Sequence, residues 1–166
     1  MPLLDPNLRQ RAMRYVAQCL AATATICLIL LGTSIVFRAG IVATLGATTF
    51  IVFAMPHSKP AQTRRLIGGY LVGSGCGVLG SLILRQLALL MPNAAHSVSI
   101  VVGSLAVGLA IFVMVLAQTE HPPAAGMSLM LVLSPWTWSM ILLVLSAVIL
   151  MSLVRWIFRN RLIDLV

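Results

Sequence analysis

Acidic side chains are almost missing. Asp5, Glu120 and Asp164 are the only three in 166 residues. That excludes an acidic metal pair and the paired carboxylates of general acid–base chemistry. Charged residues of both signs together make up 8%, against about 25% in a soluble domain. Cysteine is scarce as well. Cys19, Cys27 and Cys76 sit inside apolar runs without metal-ligand spacing and read as free thiols in packing. There is no His-Glu-x-x-His, no converging Ser/His/Asp set, no phosphate-binding glycine loop and no Cys-x-x-Cys-His. An embedded enzyme needs several ionisable groups, so the chain is expected not to be an enzyme and to carry no metal or cofactor.

What remains is apolar. Hydrophobic residues make up 60%, which points to an all-α transmembrane bundle with the lipid bilayer as its solvent. The length allows roughly five to seven crossings of ~20 residues. The net charge of +8 does not indicate nucleic acid, because the basic residues stand at the ends of apolar spans, where membrane helices carry their anchors. Arg9, Arg11 and Arg14 precede an apolar span of 15–37 that is too long for a signal-peptide core. Asp5-Pro6 reads as a cap followed by proline at the first helical position.

Four segments are long enough to cross: 15–37, 66–90, 97–118 and 136–154. Two are short, 41–55 and 124–134. As helices these reach only about 22 and 16 Å, against a hydrocarbon core of ~30 Å. Charge chooses between crossing and re-entry. With six crossings, nine of the eleven basic residues fall on one side, leaving Arg38 and Arg85 opposite; with two re-entrant segments the split is six against five. The positive-inside rule favours six crossings with both termini cytoplasmic.

The two short segments resemble each other. Thr44-Leu45-Gly46-Ala47-Thr48-Thr49-Phe50 runs on to Pro56, and Pro123-Ala124-Ala125-Gly126-Met127-Ser128-Leu129 runs on to Pro135. The closing prolines differ by 135 − 56 = 79, and the same offset sets Thr49 on Ser128. The chain reads as one domain, 1–166, built of two long–short–long units (about 15–90 and 97–155), the second inverted relative to the first. Paired short or Gly/Pro-interrupted segments are the sequence pointer to the binding site of such transporters.

Candidate chemistry collects on those segments. The first turn of a helix has unpaired N–H groups and partial positive charge. Small residues around Gly46, Ala47, Thr48 and Thr49, and around Ala125, Gly126 and Ser128, would open such backbone to an anion, with His121, Pro122 and Pro123 completing the lining of the substrate site. Packing alone is the other reading, since small residues also let membrane helices approach. Glu120-His121-Pro122-Pro123 is the one place where an acid and a histidine adjoin. His121 caps or orients its helix, or relays a proton with Glu120; Pro122 and Pro123 end regular helix before it. Gly69, Gly73 and Gly77, at four-residue spacing, make a face for close helix contact.

These residues resemble the HPP family of small integral membrane proteins, whose His-Pro-Pro motif would be His121-Pro122-Pro123 followed by Ala124-Ala125-Gly126. The first unit is similar too: Gly46-Ala47-Thr48, Pro56-His57-Ser58, Pro60-Ala61-Gln62 and Gly68-Gly69. The resemblance covers about 15–155. It implies four spanning helices, where charge favours six, and a transporter associated with nitrite. The combined expectation is a carrier or channel for a small inorganic anion in a bacterial inner membrane, with nitrite leading and a homo-oligomer open. The alternative is a non-transport scaffold or subunit whose glycine-rich helix docks a partner.

Overall fold

Apolar runs free of proline become helices here, and the prolines stand at the joints. The computed structural model describes the backbone of residues 8–33 and 39–165, and side chains of 13–29 and 40–165. Six helices follow in order: α1 Leu8–Thr33, α2 Ala39–Ala54, α3 Thr63–Leu90, α4 Ala95–Ala117, α5 Pro122–Leu133 and α6 Trp138–Phe158. Pro56, Pro60, Pro92 and Pro135 lie between helices, and Pro122 and Pro123 open α5, as a missing N–H and a fixed φ require. No strand occurs among the described residues.

Three helical segments among the described residues are long and apolar enough to cross a membrane: Thr63–Leu90, Pro92–Ala117 and Trp138–Phe158. The short segments are helices of 16 residues (α2) and 12 residues (α5), about 24 and 18 Å long. Asp5-Pro6 and Arg38 lie outside the described residues.

Hydrogen bonds at one end of the bundle fix the directions of the helices. Gln18 of α1 donates to the Phe53 carbonyl of α2 at 2.8 Å. Arg64, at the start of α3, donates to the Ala117 carbonyl that ends α4. Arg155, near the end of α6, donates to Pro56 after α2 at 2.8 Å. The tail returns to the same end, where the Leu165 N–H meets the Ala54 carbonyl at 2.8 Å. Successive helices therefore alternate in direction, and both described chain ends share one end of the bundle. Arg14, Lys59, Arg64, Arg65, Arg155, Arg159 and Arg161 lie there. Arg85 lies at the other end, 5.8 Å from the Trp136 ring.

The shortest helix is the most enclosed. α5 packs against α2, α3 and α4, and its backbone lies directly on the glycine face of α3. A Cβ on Gly69 would come within 2.7 Å of His121 Cβ, and one on Gly77 within 2.8 Å of the Ser128 carbonyl oxygen. At Gly73 it would collide with the Ala124 carbonyl. The face expected for close contact thus serves this interface within the protomer.

Candidate functional site

The turn into α5 is built by two local devices. Gln118 closes α4 in the left-handed region (φ 54°), and the Thr119 N–H bonds back to Met114 at 2.8 Å, the geometry of a Schellman cap. Three residues later the prolines begin. A residue before proline is driven to extended backbone, and His121 has φ −136° and ψ 99°. It is the cap residue of α5, though its side chain makes no capping bond.

The expected anion site at paired helix N-termini does not form. Pro122 and Pro123, the first two helical residues, carry no N–H. The next one, on Ala124, is taken by the His121 carbonyl at 3.0 Å. On the other side, α2 begins at Ala39, because no proline or cap interrupts the chain before Gly46. Gly46, Ala47, Thr48 and Thr49 are therefore mid-helix, where backbone donors bond within the helix.

A side-chain cluster meets there instead. Thr48 Oγ1 lies 3.0 Å from His121 Nε2 and 2.9 Å from the Tyr70 hydroxyl. His121 Nδ1 lies 3.0 Å from the Pro60 carbonyl oxygen. A carbonyl only accepts, so Nδ1 carries the hydrogen and Nε2 presents its lone pair. Thr48 must then donate to Nε2, and Tyr70 must donate to Thr48. The result is a directed chain, Tyr70 to Thr48 to His121 to Pro60, joining α3, α2, the α4–α5 connector and the α2–α3 connector. Tyr70 and Thr48 are 0% exposed and His121 1%.

His121 lies in the connector, outside the helical spans. Burial pushes its imidazole down to about 4 from 6.5, with the Pro60 hydrogen bond acting the other way. The unfolded chain takes up this proton near 6.5, and the folded chain only near 4. The associated stability is therefore complete above about 6.5 and is lost as pH falls from there toward 4. The thermal midpoint of the purified protein should drop across that window, and His121→Gln should flatten the drop. A flat wild-type profile would show that the imidazole is not held neutral.

The remaining candidates are dispersed. Thr49 donates to Leu45 at 2.8 Å and touches Met151 sulfur at 3.8 Å. Ser128 donates to Ala125 at 2.7 Å, so both hydroxyls are engaged by their own helices. Gly46 is exposed with open space around it. Ala47, Pro122 and Pro123 line a shallow surface depression. Gly126 is exposed beside Thr44. Ala125 lines a cavity of about 310 Å³ with Glu120, His121 and Pro122. The Glu120 carboxylate pairs with Arg65, while the two imidazole nitrogens go to Thr48 and Pro60.

Tyr70 was absent from the sequence-based candidates. Its only signal is a phenol inside a glycine-rich apolar run. Two buried hydroxyls, of Ser74 and Thr119, have no hydrogen-bond partner among the described residues. Ser74 lies one turn along α3 from Tyr70.

The chain matches the family described as "HPP, transmembrane region" over residues 7–164. It is 33% identical over 93 residues to a transmembrane protein of Dictyostelium discoideum. That match covers 56% of this chain and 30% of the relative's length. No solved structure matches.

Proposed function

The chain belongs to the HPP transmembrane family, and from that premise we propose a transporter or channel for a small inorganic anion, not an enzyme. Nitrite is the leading candidate, and it comes from the family resemblance. The observation that carries the reading is the fully buried Tyr70–Thr48–His121 chain. Polar side chains inside a membrane bundle are costly and mark pathways.

The chemistry follows from the lone pair on Nε2. An anion meeting His121 at that nitrogen requires a hydrogen on it. Burying the anion alone or the imidazolium alone is unfavourable, whereas the pair is neutral. Each therefore raises the affinity for the other, and the linkage is reciprocal. The Glu120–Arg65 pair stands beside the cavity that reaches His121, and Glu120 is the candidate carboxylate for exchanging a proton there once an arriving anion competes for Arg65.

The proposed setting is a bacterial inner membrane with six crossings. The basic end faces the cytoplasm by the positive-inside rule, which puts both termini there. One domain of two long–short–long units, α1–α3 and α4–α6, fits the alternating directions, with the second unit inverted. The scaffold reading loses its main support, because the glycine face of α3 is covered by α5.

Reconstitution tests the proposal. Proteoliposomes should move nitrite faster than protein-free liposomes, with nitrate, chloride and formate compared in parallel. If no anion moves faster than in the blank, the transport reading fails.

A further inference from the structure

A second concave region lies away from the buried chain. It sits at the basic end, between the start of α1, the end of α2 and the segment after α6, and has a volume of about 540 Å³. Ala17, Ala21, Phe53 and Phe158 supply apolar walls, and Arg14 and Arg161 line it as well. The walls are pinned together by Gln18. Its amide donates to Phe53 and Ile163 at 2.8 Å each and accepts from the Ile163 N–H at 3.1 Å.

The two arginines have no acid to pair with among the described residues. Glu120 is held by Arg65, and Asp164 by His57. A region with apolar walls and two guanidinium groups that meet no acid among the described residues matches a molecule with an anionic head and an apolar tail. Guanidinium binds phosphate oxygens through paired donors. A free phosphate would leave the apolar walls wet, and a purely apolar guest would leave both guanidinium groups unpaired. A membrane supplies the matching molecule directly.

We propose that this cavity binds one anionic phospholipid, its phosphate on Arg14 and Arg161 and its upper acyl chain against Ala17, Ala21 and Phe53. The lipid joins α1 to α2 and to the tail after α6, and so stabilises the attachment of the first helix. The site is independent of the anion pathway.

The test uses the full-length chain in detergent, with bound lipid counted by native mass spectrometry and stability read as the thermal midpoint. Phosphatidylglycerol should bind one per chain, at least tenfold tighter than phosphatidylcholine. Arg14→Gln with Arg161→Gln should abolish that preference, a loss of roughly tenfold to thirtyfold at about 1 kcal/mol per arginine. Lys59→Gln with Arg159→Gln, at the same end but outside the cavity, should preserve it. Ala17→Trp should reduce binding of both lipids, and glycerol phosphate should not stabilise. Equal binding of the two lipids by the wild type overturns the proposal. So does equal loss in the Lys59/Arg159 control, which indicates diffuse attraction, or stabilisation by glycerol phosphate, which indicates a site for a free anion. Should the arginine variant not fold, the wild-type lipid comparison and Ala17→Trp still decide.

Discussion

Gly73→Ala should unfold or disassemble the bundle, although it adds only one methyl group. The new Cβ would run into the Ala124 carbonyl, which is backbone and cannot turn aside. α5 would have to move off α3, losing contacts along Gly69, Gly77 and Gly80 together. Overpacking a core costs about 1–3 kcal/mol where side chains can yield; here the loss should reach the top of that range or pass it. Gly75→Ala is the matched control, because beyond its own stretch of helix no atom lies within 4 Å of a Cβ there. It should be neutral or raise stability by up to about 1 kcal/mol through helix propensity. Thermal midpoints of the two variants in one detergent check the contrast. Equal midpoints would show that α5 does not rest on the glycine face.

Thr48→Val should stop transport while leaving the protein folded. Valine keeps the shape and removes the hydroxyl. Tyr70 then loses Thr48 and keeps only the Thr44 hydroxyl in reach, and His121 Nε2 loses its donor. A buried polar group left unpaired costs about 1–3 kcal/mol, and hydrogen bonds between membrane helices average somewhat less, about 0.6 kcal/mol. Two such bonds at the membrane value come to about 1 kcal/mol, below the loss expected for Gly73→Ala, so the bundle stays folded. The functional loss should be larger, at least tenfold in rate, because the chain from α3 to the connector is cut. Thr48→Ser restores the hydroxyl and should recover most of the flux.

Element by element, the six helices could be read from the chain, and the site only in part. The prolines at 56, 92, 122, 123 and 135 bracket apolar runs, so the joints were visible in one dimension. The spacing of Gly69, Gly73 and Gly77 announced a close contact, but not its partner, since nothing local identifies α5 as the helix that covers it. Thr48 and His121 were both named, Thr48 beside the open first turn of a short helix and His121 as a cap, an orienting group or a proton relay with Glu120. α2 has no break before Gly46, so Thr48 stands mid-helix, and Pro122 and Pro123 remove the first donors of α5. What brings the two residues together is a bond between their side chains. Tyr70 was missed because its link to Thr48 spans 22 residues, and its place depends on how α3 packs on α5. Arg65 and Glu120 are 55 residues apart; charge alone put them on the same side without pairing them.

Initial nitrite flux into proteoliposomes, compared for wild type, Thr48→Val and Thr48→Ser at matched protein loading, bears most directly on the buried chain as the transport site. The expected order is wild type close to Thr48→Ser, with Thr48→Val at least tenfold slower and near the protein-free blank. Wild-type flux in Thr48→Val would contradict it.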